Sequence, residues 1–346
     1  MKYRRLGKTG LEISEISFGT GDNAGLMMNA QASERERTLA QAVDAGINFF
    51  DTSPDYGKGV AESNLGAALK QLGPKAVNGV FVSTKVEIMP DDVDDIAGRI
   101  VQSVDASLQR LQRDHVDVLM IHNPPRSERD PGAAHWLPLT PEDMLGPALE
   151  GLERVRKAGK AVHFGFTCEN AEPAAVRIVL ASGHYGAINC WYNMVNPTAG
   201  MDMPEGVKFG PHYDDYGGIV TFAGEHDVGV AVIRPLAGGA LTWLVAQTGP
   251  TARHVHAGGI YTRNPESFRP EASRGAAFAF LHRPPRTLPI AAYQFALAHP
   301  AVSTVVGGFS DYAQFEEIAS TSDFAPLNAE DMQAIRAVYA SNFGLA

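Results

Sequence analysis

The sequence predicts a (β/α)8 TIM barrel, and three observations lead to this fold class. Short runs of β-branched and aromatic residues alternate with helical segments of ten or more residues, a pattern that favours a parallel sheet with crossover helices. Eight such runs occur along the 346 residues, which is the number of strands in a closed barrel of this kind. No G-x-G-x-x-G sequence follows the first run, so an open, doubly wound sheet is disfavoured. We expect one barrel domain over residues 1–346.

The predicted elements follow one another along the chain. Tyr3 to Ile13 contains two short strands around a glycine turn, which predicts an N-terminal β-hairpin that plugs the barrel floor. The eight barrel strands are predicted at Ile13–Thr20, Ile47–Thr52, Val80–Val86, Val116–His122, Ala161–Thr167, Ala187–Tyr192, Val228–Leu236 and Val302–Gly307. Among the helices, Ser33–Ala45 has Ser33 at a capping position with Glu36 three residues on, and Asp95–Leu111 has a single apolar stripe. Both segments are predicted to be outer helices.

Three connections are longer than ordinary loops and are rich in Pro, Gly and His. They are Asn123–Glu142, Asn196–Gly218 and Ala237–Pro270, which follow the predicted strands 4, 6 and 7. Loops that follow the strands of a barrel rise on its carboxyl-terminal face. We therefore expect these long loops to form the walls of a substrate pocket.

The composition excludes several classes of partner. A formal net charge of −10 and a pI near 5.6 leave no basic stripe for a nucleic acid. No stretch approaches the length of an apolar membrane span, and the basic start lacks the apolar run of a signal peptide, so we expect a soluble, cytoplasmic protein without a membrane partner. Cys168 and Cys190 are too few for a disulfide framework or a four-ligand zinc site, and no metal is expected.

Four polar residues lie where predicted strands end. Asp51 follows the apolar run of the second strand, and Tyr56 comes five residues later. Lys85 and His122 lie at the ends of the third and fourth strands. Each has an ordinary explanation when taken alone: a helix cap, a turn aromatic, a solvated strand end or a hydrogen-bonded core histidine. Because the carboxyl ends of barrel strands meet on one face, their coincidence predicts a proton-donating active site.

Motifs spread over nearly the whole chain resemble the aldo-keto reductase family. The resemblance lies in Tyr3-Arg4-Arg5-Leu6-Gly7, Asn48 to Gly57, Ser83-Thr84-Lys85, Leu119 to His122, Gly165-Phe166-Thr167, Tyr192-Asn193, Arg234 to Gly239 and Val305 to Ser310. It implies a reversible hydride transfer, without a metal, between a nicotinamide cofactor and a carbonyl or alcohol. It also implies that Tyr56 protonates the carbonyl oxygen and that His122 orients the carbonyl. Lys85 is then expected to bring the pKa of Tyr56 nearer the operating pH, while Asp51 keeps Lys85 charged and oriented.

The residues implied to bind the cofactor depart in part from the family pattern. Thr167-Cys168 replaces a common Ser-Asn pair and Asn189 replaces a Gln, yet Thr167 and Asn189 can still bind the nicotinamide amide. After the seventh strand, Arg234 is expected either to stack by its planar guanidinium or to reach a phosphate. Further implied cofactor contacts are Pro235, Leu236, Gly238, Gly307, Gly308, Phe309, Ser310, Gln314 and Glu317.

The choice between NADP and NAD depends on a missing cation. Gly307 to Asp311 contains no Arg or Lys, where many relatives hold the 2′-phosphate of NADP with one. Such a charge-assisted hydrogen bond contributes about 1.5–3 kcal/mol, and an inward-pointing Asp311 would repel the phosphate. Substitute cations are available in the long seventh loop, at Arg253, Arg263, Arg269 and Arg274. NADP(H) is therefore slightly favoured, and NAD(H) is competitive.

Aromatic residues near the strand ends are the candidate substrate contacts. They are His135, Trp136, Trp191 and Tyr192, joined by Phe209, Tyr213 and Trp243. Aromatic rings stack on sugars and on hydrophobic aldehydes alike, so we expect a carbonyl compound or a sugar-like alcohol as substrate. Two alternatives are a cofactor-binding regulatory subunit of the same type and a Schiff-base lyase that uses Lys85. The lyase leaves Tyr56 and His122 without a role.

Overall fold

The strands of this protein form a small hairpin and a closed barrel. The computed structural model describes residues 1–21, 25–130, 132, 137–207, 215–248 and 265–345. The strands, in chain order, are β1 (Tyr3–Arg5), β2 (Glu12–Ser14), β3 (Ile16–Gly19), β4 (Phe49–Asp51), β5 (Phe81–Val86), β6 (Val116–Ile121), β7 (Ala161–Thr167), β8 (Ala187–Trp191), β9 (Gly229–Ile233) and β10 (Val302–Gly308). Strands β3 to β10 are parallel, and β10 pairs with β3 to close the barrel. The predicted eight-stranded barrel is confirmed.

The antiparallel hairpin of β1 and β2 fills the amino-terminal end of the barrel, as predicted. Leu6 and Ile13 are fully buried and pack with apolar side chains that point into the barrel, namely Phe49, Val118, Met120 and Ala187. The turn between the two strands requires Gly7, because its φ is 48° and a Cβ there would lie 2.2 Å from the backbone nitrogen of Gly229. The packed hairpin leaves the opposite end of the barrel for a site.

The first predicted strand, Ile13–Thr20, is wrong as a single element. Its apolar run is divided between β2 and β3, with Glu15 between them. The N–H of Glu15 donates to the carbonyl of Lys2 at 2.9 Å, while its carbonyl accepts from the N–H of Val305 at 2.9 Å. One residue thus joins the hairpin to the barrel. Ile13, Ile16 and Phe18 are all buried, and the polar Glu15 between the first two lies where the chain changes sheet.

Helices surround the barrel strands. They are α1 (Leu26–Asn29), α2 (Ala32–Asp44), α3 (Val60–Gln71), α4 (Pro74–Gly79), α5 (Ile96–Leu111), α6 (Pro141–Leu145), α7 (Pro147–Lys157), α8 (Pro173–Ala181), α9 (Ile219–Glu225), α10 (Trp243–Thr248), α11 (Pro265–Ala276), α12 (Leu288–Leu297), α13 (Tyr312–Ala319) and α14 (Ala329–Ala340). Asp95 caps α5 by accepting from the N–H of Gly98 at 2.9 Å. The predicted capping role of Ser33 is wrong, because α2 begins one residue earlier, after Gln31. In the described ranges, no helix is both long and apolar enough to cross a membrane.

The long connections lie after β6, β8 and β9, which are the fourth, sixth and seventh barrel strands. The connection after β9 contains α10 and α11, and the connection after β6 contains α6 at its end. The connection after β8 is tied to the one after β9, since Asn193 Nδ2 donates to the carbonyl of Arg234 at 3.0 Å. The predicted positions of the three long loops are therefore confirmed.

Candidate active site

The parallel strands bring the four strand-end residues to one face of the barrel. Asp51 is the last residue of β4, Lys85 is the penultimate residue of β5, and His122 directly follows β6. Tyr56 reaches the same face from the loop after β4. This loop turns sharply after the tyrosine, with positive φ at Gly57, Lys58 and Gly59 in succession. A Cβ at Gly57 would lie 2.6 Å from the sulfur of Met28, so the turn that presents Tyr56 depends on glycine.

Asp51 and Lys85 form a buried ion pair. Lys85 Nζ lies 2.6 Å from Asp51 Oδ2 and donates to the carbonyl of Thr52 at 2.8 Å. Only 4% of the Asp51 side chain and 2% of the Lys85 side chain are exposed. Burial lowers the pKa of Lys85, but the charge of Asp51 and the neighbouring Tyr56 outweigh it and raise this pKa above its ordinary value. Lys85 is therefore held as a cation, which is the state predicted from the sequence.

Tyr56 lies against this pair. Its ring centre is 4.9 Å from Lys85 Nζ, and the side chain is half-buried. Burial raises the pKa of Tyr56 to about 12, although the charge of Lys85 lowers it. The predicted influence of Lys85 therefore has the expected direction, but it does not bring the pKa nearer neutrality in this structure. Burial is the larger effect, and it keeps the phenol protonated.

His122 lies next to Tyr56. The two ring centres are 6.1 Å apart with the planes nearly perpendicular, and His122 Nδ1 is 3.3 Å from Ser53 Oγ. Burial, and then the positive charge of Lys85, lower the pKa of His122 well below its ordinary value. The ring is therefore neutral at physiological pH, a state that the sequence left open. A neutral imidazole keeps one N–H donor, which can hold a carbonyl oxygen.

Two predicted cofactor residues lie beside the ion pair. Asn189 Nδ2 donates to Asp51 Oδ1 at 3.4 Å, while Asn189 Oδ1 is buried and has no hydrogen-bond partner in the part of the chain that the structure describes. Thr167 Oγ1 donates to the backbone carbonyl of His122 at 2.8 Å. Cys168, which replaces the common asparagine, is completely buried, and burial raises the pKa of its thiol well above the ordinary value. It is an inert core thiol here.

Arg234 contacts an aromatic ring and a carboxylate in this structure. Its guanidinium lies 4.1 Å from the ring centre of Trp191 and 3.3 Å from Glu271 Oε2, so it stacks and is ion-paired. The backbone of Arg234 is left-handed, with φ of 53°. Pro235 and Leu236 continue this turn, and a Cβ at Gly238 would lie 2.9 Å from Arg234 Nη2.

The loop after β10 is folded on itself. Phe309 is buried against Phe18 and Phe315, with ring centres at 5.2 and 5.5 Å, so its ring belongs to the core. Ser310 Oγ is buried and has no hydrogen-bond partner among the described residues, and the N–H of Ser310 donates to Gln314 Oε1 at 3.0 Å. The remaining predicted contacts are the buried Gly307, the exposed Gly308 and the half-buried Glu317.

Asp311 has a structural partner at the start of α13. Its side-chain oxygen accepts from the N–H of Gln314 at 2.9 Å, so the residue is the N-cap of the helix. This bond places a negative charge where helix N–H groups would otherwise favour a phosphate. It agrees with the sequence argument that this segment is a poor site for a 2′-phosphate.

The predicted substrate residues Trp191 and Tyr192 differ in their burial and in their packing partners. Trp191 is half-buried under Arg234, whereas Tyr192 is 2% exposed and packs on Phe295 and His299. Neighbouring residues at a strand end point to opposite sides, so only one of the two can face the barrel mouth. The pocket position predicted for Tyr192 stays a prediction, and its ring packs against Phe295 and His299 in this structure. The predicted contacts His135, Trp136, Phe209 and Tyr213 lie outside the described residues, as do the cations Arg253 and Arg263.

Two charged residues near the site escaped the sequence reasoning. Glu169 is half-buried two residues after β7, and its negative charge raises the pKa of Tyr56. Arg37 on α2 lies 4.5 Å from the ring centre of Tyr312, the first residue of α13. Glu169 could have been found from the sequence, because it is a polar residue just after a barrel strand, like the other site residues. Arg37 had no such signal, because only the packing of α2 against α13 brings it there.

Fold and site together define the class of protein as a (β/α)8 barrel with a buried lysine–aspartate pair, a tyrosine and a histidine at the carboxyl end of its strands. The sequence profile of the Aldo/keto reductase family matches residues 15–340, and the chain belongs to this family. Members of the family act on small carbonyl compounds with NAD(P)H, so the family supports an oxidoreductase.

Individual relatives cover almost the whole chain at low identity. L-galactose dehydrogenase from Arabidopsis thaliana is 27% identical over 342 residues, which are 95% of this chain and 91% of that protein. A probable voltage-gated potassium channel subunit beta from Arabidopsis thaliana is also 27% identical, over 94% of this chain and 93% of that protein. Among solved structures, the holo form of aldo-keto reductase AKR11C1 from Bacillus halodurans has a TM-score of 0.71 at 22% identity, with 98% of this chain and 96% of that chain covered. This last likeness is one of fold.

Proposed function

We propose that this protein is an NAD(P)(H)-dependent oxidoreductase that transfers a hydride between the nicotinamide and a carbonyl or alcohol carbon. The observation that carries the proposal is that Tyr56 lies close both to the charged Lys85–Asp51 pair and to the neutral ring of His122. A protonated phenol beside a neutral imidazole can donate two hydrogen bonds to one carbonyl oxygen.

The side chains divide the work of carbonyl reduction. When bound, the cofactor supplies the hydride for reduction and accepts it in oxidation. Tyr56 gives its proton to the carbonyl oxygen, because an alkoxide is too basic to form unassisted. The N–H of His122 holds the same oxygen and fixes the direction of the carbonyl. Lys85 stabilises the phenolate that remains, and Asp51 keeps Lys85 in place.

The residues beside the ion pair fit a nicotinamide. The orphaned Asn189 Oδ1 is an acceptor that a carboxamide N–H group would satisfy, and a buried acceptor without a partner costs about 1–3 kcal/mol. The buried, unpartnered Ser310 Oγ offers a second polar contact at the end of β10. We infer that Asn189 and Thr167 hold the amide, and that Ser310, Gln314 and Glu317 line the nucleotide side.

Fluorescence titration of the purified chain with NADPH and with NADH tests the proposal. Trp191 lies at the end of β8 under Arg234, so a nicotinamide bound at this face is expected to quench its emission. Trp191→Phe is the control, and it should remove most of the quenching while binding, followed by calorimetry, persists. Failure of the wild-type chain to bind either nucleotide would contradict the proposed function.

NADP(H) is slightly favoured in this proposal because Arg37 offers a cation to the 2′-phosphate. Arg37 is exposed beside the start of α13 and has no acidic partner among the described residues. Of the other described candidates, Arg274 is less suitable because it is buried against Phe343, whereas Arg269 is exposed on α11 and is an alternative to Arg37. Asp311 opposes the phosphate, which keeps NAD(H) competitive.

The substitution Arg37→Met is expected to weaken NADPH binding by about tenfold or more and to leave NADH binding unchanged, because only NADPH carries the 2′-phosphate. Arg35→Met on the same helix is the matched control, since Arg35 donates to the carbonyl of Ala30 instead. Calorimetry with both nucleotides measures the effect. Equal losses for NADPH and NADH, or no loss, would show that Arg37 does not bind the phosphate.

The two directions of the reaction are expected to differ in their dependence on pH. A pKa of about 12 keeps Tyr56 protonated up to about pH 10, so carbonyl reduction should change little between pH 6 and pH 10. Alcohol oxidation needs the phenolate, whose fraction rises about tenfold per pH unit below the pKa. Its rate should therefore rise with pH over this range, with no step near 6.5 from His122. Single-turnover rates in both directions provide the measurement.

The substrate is proposed to be a carbonyl compound or a sugar-like alcohol. The similarity to L-galactose dehydrogenase favours a sugar. The similarity to a potassium channel subunit favours the second candidate, a cofactor-binding regulatory subunit. Turnover of any aldehyde at more than a few cycles per minute separates the two candidates. A Schiff-base lyase is disfavoured because Asp51 keeps the amine of Lys85 charged, and a charged amine is not a nucleophile.

A further inference from the structure

Glu169 lies at the mouth of the barrel without a bonding partner. It follows β7 by two residues, in the turn in which the N–H of Ala171 donates to the carbonyl of Cys168 at 3.2 Å. Its side chain is half-buried, and its carboxylate makes no hydrogen bond or ion pair with a described residue. Carboxylates in such positions are ordinarily paired, because burying an unpaired charge is costly. The position is therefore costly to the fold.

The positively charged side chains of Lys85 and Arg234 are each paired with a carboxylate other than that of Glu169. Lys85 is paired with Asp51 at 2.6 Å, and Arg234 with Glu271 at 3.3 Å. His122 is neutral. Glu169 therefore adds a net negative charge to this face. The pKa of Glu169 is raised above its ordinary value, because burial raises it more than the charge of Arg234 lowers it, and the charge of Glu169 in turn raises the pKa of Tyr56. Glu169 is thus close enough to Tyr56 and to Arg234 for its charge to interact with both.

This position suits a ligand with hydroxyl groups. A carboxylate accepts hydrogen bonds and donates none, so its natural partners are hydroxyl or amino hydrogens. A carbonyl oxygen held by Tyr56 and His122 would bring the rest of a short substrate toward the barrel mouth, where Glu169 lies. An anionic group at that point would be repelled, while an apolar chain would leave the carboxylate unpaired.

We propose that Glu169 is a substrate-binding residue that accepts a hydrogen bond from a hydroxyl group of the substrate, and that it thereby selects neutral hydroxylated carbonyl compounds over apolar and anionic ones. The inference rests on the proposed oxidoreductase function. It adds the substrate class, since a short polyhydroxylated aldehyde or an aldose has hydroxyl groups close to its carbonyl.

Three aldehydes that differ in one property each test this inference. Propanal and D-glyceraldehyde have the same number of carbon atoms, and only the second has hydroxyl groups. D-glyceraldehyde 3-phosphate adds negative charge. Values of kcat/KM are measured for all three with the nucleotide that binds, in the wild type, in Glu169→Gln and in the control Glu225→Gln. Glu225 is exposed at the end of α9, just before β9, so the control removes the same charge at the amino-terminal end of the barrel.

Glu169→Gln is expected to lower kcat/KM for D-glyceraldehyde by about fivefold to tenfold, because a hydrogen bond to a charged acceptor becomes a weaker one to a neutral amide oxygen. The kcat/KM for propanal should stay within about twofold of the wild-type value. The kcat/KM for D-glyceraldehyde 3-phosphate should rise several-fold, because the repulsion between its phosphate and Glu169 is removed. The control variant should match the wild type on all three aldehydes.

A thermal melt separates binding from a structural role. If Glu169 serves the substrate, Glu169→Gln should melt at or above the wild-type temperature, because an unpaired half-buried charge is removed. A lower melting temperature with equal losses on D-glyceraldehyde and propanal would overturn the inference in favour of a structural carboxylate. So would a variant that matches the wild type on all three aldehydes. A wild type that binds nucleotide and reduces none of them would overturn the proposed function together with this inference.

Discussion

Replacing Tyr56 with Phe is expected to lower the turnover number for aldehyde reduction by about 100-fold to 10,000-fold, the range that general acid catalysis contributes. The change removes one oxygen atom and keeps the ring, whose edge packs against His122 at a centre distance of 6.1 Å. The burial that raises the pKa of Tyr56 to about 12 leaves it protonated at neutral pH, so the wild-type phenol is ready to donate. A phenylalanine ring has no proton to give.

The same variant should bind NADPH and NADH within about threefold of the wild type, because the loss is confined to the reacting proton. Steady-state reduction of an aldehyde gives the turnover number, and fluorescence titration gives the affinity. Tyr3→Phe is a matched control at the opposite end of the barrel, where the hydroxyl donates to the carbonyl of Gly46 at 2.9 Å. A Tyr56→Phe enzyme with near-normal turnover would exclude Tyr56 as the acid.

The sequence was sufficient for the features that depend on periodicity and chain order. Buried runs separated by amphipathic helices define a parallel barrel, and such a barrel brings the carboxyl ends of its strands together. This is why Asp51, Lys85 and His122 could be grouped before any distance was known. Their separations in the structure agree with the grouping, since Lys85 contacts Asp51 at 2.6 Å. The hairpin followed from the same alternation of short strands and a glycine turn.

Features that depend on solvation or on packing between distant segments were harder to predict from the sequence. The pKa of Tyr56 is a balance between burial and the charge of Lys85, and the sequence contains the charge but not the degree of burial. The orientation of Tyr192 follows from a strand boundary one residue away. Arg37 reaches α13 only through helix packing. In each case a local pattern is compatible with several three-dimensional surroundings.

Replacing Lys85 with Met is expected to destabilise the protein by about 3–5 kcal/mol, the cost of leaving one member of a buried ion pair without its partner. Asp51 would retain the amide of Asn189 at 3.4 Å as its remaining side-chain donor, while its own side chain is only 4% exposed. Urea unfolding measures the change through the midpoint at constant slope. Arg154→Met is the control, because Arg154 and Glu150 form an exposed pair on α7, and such pairs contribute little.

The double variant with Asp51→Asn and Lys85→Met separates the structural from the chemical role of the pair. With both charges removed, most of the lost stability is expected to return, because burying a neutral amide and a thioether costs much less than burying an unpaired charge. Activity is not expected to return, since the positive charge that lowers the pKa of Tyr56 and stabilises its phenolate is still absent. Alcohol oxidation, which requires the phenolate, should lose more than carbonyl reduction. A double variant that recovers oxidation along with stability would mean that Lys85 serves the fold alone, and that another group activates Tyr56.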